Sequence, residues 1–118
     1  MAELTIYEVP NCSTCQRLGA LLAERGVAYE GIAYHDVGID EATIRELLRK
    51  AGLRPRDVLR TREPLVAELR LLDGDGVDDD ELVALMAQHP KLLQRPIVVR
   101  GDRALLARPI ERVLDLLD

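Results

Sequence analysis

The chain opens on an apolar run, Leu4-Thr5-Ile6-Tyr7, rich in β-branched and aromatic residues, which predicts a strand over residues 3–7. Pro10 and Asn11 break that strand. From about 13 to 25 the period becomes helical. Leu18, Leu21, Leu22 and Arg25 fall at i, i+3, i+4 and i+7, with the three leucines as the inward stripe. Gly26 ends this helix. Residues 27–35, VAYEGIAYH, read as a second strand with Gly31 as a candidate bulge. A strand, helix and strand in succession predict a parallel pair joined by a right-handed crossover.

Asp36 to Gly38 turns the chain. Asp40 caps a helix reaching about residue 51, with Ile44, Leu47, Leu48 and Ala51 inward and Gly52 as its stop. Pro55 opens a short helix over 55–60, and another follows over 64–71. Residues 72–76, LDGDG, read as a loop. Its acids run on to Glu81 but fail as a calcium loop. Counted from Asp73, Val77 stands at the fifth ligand position, Asp78 replaces the glycine and Ala84 replaces the bidentate Glu. The acids instead suit the start of a helix over 79–89, with Leu82, Leu85, Met86 and His89 on one stripe and His89 at its end. Residues 92–100 read as a strand, Gly101-Asp102 as a tight two-residue turn, 103–107 as the return strand, and 109–117 as a last helix with Val113, Leu114 and Leu117 inward. The order is β-α-β, then helices, then β-β-α. It predicts an α/β fold, one domain over residues 1–118, with a mixed four-stranded sheet and an all-helical insertion at about 40–90.

Composition narrows the function. The chain has 118 residues, 47% hydrophobic and 31% charged, with three Tyr and neither Trp nor Phe, so Leu, Val, Ile and Ala must build the core. The net charge of −5 argues against a nucleic-acid partner. No apolar run reaches membrane-spanning length, and MAELTIYEV lacks the basic start and apolar run of a signal peptide. Cytoplasm is the expected location. Only Lys50 and Lys91 are lysines among the basic residues, and arginine is the residue whose rigid donor fork grips tetrahedral oxyanions.

The chemistry concentrates at Cys12-Ser13-Thr14-Cys15, where the first strand hands over to the first helix. A helix N-terminus stabilises a thiolate and binds anions. Two closely spaced cysteines, and no others, do not make a secreted disulfide framework. A C-x-x-C beside a βαβ pattern reads as a redox motif. The competing readings are half of a zinc site and a pair of buried structural cysteines. Zinc needs four ligands, and the other soft candidates, His35 and His89, lie off finger spacing. Cys12 is expected to be the more exposed and more acidic thiol, with Cys15 partly covered.

IYEVPNCSTCQR, DVLRTREP, QHPKLLQRPIVV and ARPIERVLDLL together resemble the glutaredoxin-coupled arsenate reductases, within the broader ArsC/Spx family, over nearly the whole chain. The resemblance implies a thioredoxin-like sheet. It implies Cys12 as the thiol that attacks arsenate, and Arg60, Arg95 and Arg108 as the arginines that hold the oxyanion and its adduct. Arg62 competes for the role of Arg60. Glutathione and glutaredoxin then release arsenite, whereas Cys15 opens a thioredoxin-dependent route through a Cys12–Cys15 disulfide. The resemblance further implies a cis bond at Arg95-Pro96. No bound cofactor or metal and no membrane partner are expected, and the expected state is a monomer. The better-known reductases carry histidine where this chain has Glu8, and a carboxylate beside Cys12 should raise its pKa. Two alternatives stand: an Spx-like redox-sensing regulator that binds RNA polymerase, and a family member with another substrate. Arg108, in its Arg-Pro setting, favours the enzyme.

Overall fold

Residues 4–9, 11–72 and 77–117 are described by the structure, a computed structural model. The expectations for residue 3, Pro10 and residues 73–76 lie outside that range.

Strand β1 (Leu4–Glu8) pairs in parallel with β2 (Tyr29–Ala33) across helix α1 (Ser13–Glu24). Strand β3 (Ile97–Arg100) runs antiparallel on the other flank of β1, and β4 (Arg103–Leu106) returns beside it. The sheet order is β2-β1-β3-β4, the mixed thioredoxin-like arrangement that the sequence predicts. Between β2 and β3 the described chain forms α2 (Tyr34–Val37), α3 (Glu41–Ala51), a 3-10 turn (Pro55–Val58), α4 (Pro64–Glu68), α5 (Asp79–Gln88) and a second 3-10 turn (Pro90–Leu92). Asp40 Oδ1 accepts from the Thr43 amide at 2.8 Å, and Asp78 Oδ1 accepts from the Glu81 amide at 2.7 Å, so both predicted caps form. Gly52 ends α3 at φ 67°.

Two apolar clusters cover the two sheet faces. Leu4 and Ile6 of β1 pack with Leu18 and Leu22 of α1 and with Ile110, Val113 and Leu116 near the end of the chain. Tyr7 and Val99 face the larger cluster, built on Tyr34, Ile44, Leu47, Leu82, Met86 and Leu92.

Four expectations need correction. The register from Leu4↔Tyr29 to Glu8↔Ala33 is continuous, so Gly31 makes no bulge; its missing side chain leaves room for the Glu8 carboxylate. The second strand stops at Ala33. Tyr34 and His35 belong to α2, where the buried Tyr34 hydroxyl donates to the Leu93 carbonyl at 2.7 Å. The third strand starts at Ile97 rather than at 92, because residues 90–92 coil and Leu93 forms an isolated bridge with Leu59. The last segment begins as a 3-10 turn (Ile110–Val113) before α6 (Leu114–Leu117). Its threefold period buries Ile110, Val113 and Leu116, while the predicted Leu114 and Leu117 are half-buried.

Candidate active site

Cys12 is the N-cap of α1, with extended backbone at φ −84° and ψ 124°. Its amide donates to the Val9 carbonyl at 2.9 Å, and its carbonyl accepts from the Gln16 amide at 3.0 Å. That backbone sets the sulfur against the first-turn amides. Burial raises the Cys12 pKa. The Cys15 amide, the Arg95 guanidinium, the Cys15 thiol and the Thr14 amide together outweigh burial and bring it down to about 7. Cys15 is only 4% exposed. Burial, joined by the charges of Cys12 and Glu8, outweighs a hydrogen bond with the Val9 backbone and pushes Cys15 up to about 11. The expected asymmetry between the thiols is therefore present. Glu8 departs from expectation: its charge acts on Cys15 and Tyr29 and is not among the groups that move Cys12 most.

Arg95 is the one buried charged residue among the described residues, 7% exposed. Among the described residues its Nε and Nη1 have no hydrogen-bond partner. A buried donor left unpaired is costly unless something else satisfies it. The Arg95-Pro96 bond is cis, as expected, and so is Arg108-Pro109. Arg108 Nε donates to the Arg95 carbonyl at 2.6 Å. Arg60 is fixed from two sides. Its amide donates to the Leu92 carbonyl at 2.8 Å, and its Nη1 lies 3.7 Å from Glu63 Oε2; Glu63 also meets Lys91 Nζ at 3.6 Å.

Arg60, Arg62 and Arg108 line one polar cavity of about 230 Å³ with Thr61 and Gln94. The charges of Arg95, Arg60, Cys12 and Cys15 all reach the Tyr34 hydroxyl, which marks the junction between thiols and arginines. His35 packs edge-on against the Tyr34 ring at 4.8 Å, and burial, with Arg95 and Arg60, depresses its pKa, favouring neutral imidazole. A larger hollow of about 450 Å³, lined by Tyr7, Thr43 and Lys50 among others, contains none of the predicted site residues. Among the described residues no group of three or more His, Cys, Asp or Glu is placed to hold a metal, and no helix is long and apolar enough to cross a membrane.

The structure thus sets Cys12 beside Cys15 and Arg95, joins Arg95 to Arg108, and puts Arg60 and Arg62 on the cavity that Arg108 lines. Thr61, Gln94, Tyr34 and Glu63 also shape the site and were not predicted. Gln94 carried a signal, a polar residue beside Arg95 in an apolar stretch; Tyr34 was hidden inside an apparent strand. Chemically the site offers an acidic thiol, a second thiol in contact with it and a buried guanidinium with two free donors.

A model of the ArsC family matches residues 7–116. The chain is 37% identical over 114 residues to an arsenate reductase of Neisseria meningitidis, covering 96% of this chain and 97% of the relative. It is 34% identical to an arsenate reductase of Escherichia coli, covering 99% and 82%. A solved structure described as an arsenate reductase from Vibrio cholerae superposes with a TM-score of 0.90 at 38% identity, covering 98% of each chain.

Proposed function

The chain belongs to the ArsC family, and from that membership we propose that it reduces arsenate to arsenite through a thiol adduct on Cys12. The carrying observation is Arg95, buried beside Cys12 with its Nε and Nη1 unpaired among the described residues. Unpaired guanidinium N–H groups beside the thiol suit the oxygens of a tetrahedral oxyanion. Arg60 and Arg108 complete the positive wall, and the α1 amides supply the rest.

In this reading one domain, the whole chain, carries the reaction. The Cys12 thiolate attacks arsenic, an oxygen leaves as water, and a sulfur–arsenic bond forms. Cys15, in contact with Cys12, then attacks the Cys12 sulfur. The sulfur–sulfur bond forms, the sulfur–arsenic bond breaks with its electron pair left on arsenic, and arsenite departs. Two thiols become one disulfide as arsenic gains two electrons. An external thiol system, thioredoxin or glutathione with glutaredoxin, returns the disulfide to two thiols.

Arsenate-dependent NADPH oxidation, with each reductant system supplied in turn, tests the reading. Turnover should vanish in Cys12→Ser and fall sharply in Cys15→Ser. Arg95→Lys keeps the charge and loses the fork, so turnover should drop about ten- to a hundredfold, the worth of a charged hydrogen bond. Full turnover in Cys15→Ser with glutathione and glutaredoxin would replace the internal disulfide by a glutathione adduct. No turnover with either system would remove arsenate as the substrate.

A further inference from the structure

Glu8 has no part in the chemistry described so far, yet its surroundings are unusual for a carboxylate. The parallel register puts Ile6, Glu8, Tyr29 and Gly31 on one face of the sheet, the face that Leu18 and Leu22 of α1 cover. Glu8 is half-buried there. A Cβ at Gly31 would overlap Glu8 Oε2 and lie 3.0 Å from Cδ. A Cβ at Gly19 of α1 would lie 2.8 Å from the Tyr29 hydroxyl. Two glycines on facing elements therefore leave room for two polar side chains under the first turns of α1. Gly19 is one helical turn beyond Cys15, so Cys15 lies on the same side of the helix. Cys15 is also hydrogen-bonded at the backbone of Val9, the residue after Glu8.

The groups facing Glu8 can be named. From α1 comes Cys15 and from β2 comes Tyr29, both of which feel its charge. From β3, across Ile6, comes Val98, which is apolar. Burial raises the Glu8 pKa, so this carboxylate is a better base than an exposed one.

We propose that Glu8 accepts the proton of the Cys15 thiol as Cys15 attacks the sulfur of Cys12. The inference rests on the reading of Cys15 as the resolving thiol. A buried thiol with a pKa near 11 is almost wholly protonated at neutral pH and cannot attack as it stands. With Glu8 as acceptor, the Cys15 sulfur loses its proton to the carboxylate while the new sulfur–sulfur bond forms. The leaving group on Cys12 departs with its electron pair, and Glu8, now a carboxylic acid, returns the proton to solvent. Cys12 needs no such help, because its own surroundings already favour the thiolate.

The step can be watched without arsenate. Reduced protein mixed with an equimolar amount of the aromatic disulfide dithiobis-nitrobenzoate releases one thionitrobenzoate when Cys12 attacks. It releases a second when Cys15 displaces the one left on Cys12. The first release serves as the internal reference in each variant, and the ratio of second to first rate is followed against pH. In wild type the second rate should level off above the carboxyl pKa. In Glu8→Gln it should be about a hundredfold slower near pH 7, the usual worth of a positioned base, and should climb about tenfold per pH unit. Glu8→Asp should recover part of the loss, and Gly31→Ala, which displaces the carboxylate, should reproduce it. A second release in Glu8→Gln as fast as in wild type, with the same pH profile, would overturn the role of Glu8 and leave Cys15 as the resolving thiol. A wild type that stops after the first release would overturn both.

Discussion

At Cys12, burial and hydrogen bonding act in opposite directions, and hydrogen bonding wins. Burial alone would hold the thiol above its ordinary value, while two first-turn amides, Arg95 and Cys15 bring it to about 7. The thiolate is the reactive form, so the rate of alkylation by iodoacetamide should rise through a midpoint near pH 7 and flatten above it. Arg95→Met removes one of the groups that lower the pKa and should move that midpoint upward. An unmoved midpoint would mean that the helix amides suffice. At this scale the sequence was most legible where chemistry follows from local order. A strand, a break and C-x-x-C place Cys12 at a helix N-terminus whatever the rest of the chain does. The sign of Glu8's influence was legible as well, but not its target. Register decides that: Glu8 shares a face with Gly31 and α1, and its charge falls on Cys15.

Elements were legible wherever a cap or a glycine marked their ends. Asp40, Gly52 and Asp78 stand where the helices they bound begin and stop. Legibility failed where a tertiary contact overrode an apolar pattern. Tyr34 and Leu93 each looked like strand residues; the hydrogen bond between them takes both out of the sheet and docks α2 on the segment before Arg95. The end of the chain failed for another reason. Val113, Leu114 and Leu117 fit an α-helix from 109, but the 3-10 turn Ile110–Val113 comes first and turns the buried face to Leu116. This makes a differential prediction. Leu116→Ala, at 2% exposure, should cost about 2–5 kcal/mol, and Leu114→Ala clearly less, both read from urea unfolding midpoints. Equal losses, or the reverse order, would restore the α-helical face.

Across the whole molecule, the candidate site gathers residues that the sequence scatters. Cys12 follows β1, Arg60 follows the 3-10 turn in the insertion, Arg95 precedes β3, and Arg108 follows β4. No spacing rule predicts that meeting; the sheet order and the return of residues 58–60 against residues 92–94 create it. Gathering several guanidinium groups has an energetic consequence. They repel one another, and Arg95 is buried with two donors unpaired, so the folded protein without an anion carries an electrostatic cost that a bound oxyanion would relieve. Arg95→Met should therefore unfold at a higher temperature than wild type when no anion is present, because a flexible apolar side chain fills the space without unpaired donors. The backbone carbonyl that Arg108 uses survives the substitution. Adding arsenate should reverse the order. A ligand that binds only the folded state stabilises it by about 2.7 kcal/mol at a hundred times its dissociation constant, and Arg95→Met should gain little of that. Thermal unfolding of both proteins across an arsenate series gives the answer. Crossing stability curves would identify Arg95 as a residue held under strain for its ligand. An anion-free variant less stable than wild type, with an undiminished arsenate response, would make Arg95 a structural residue and leave anion binding to Arg60, Arg108 and the helix amides.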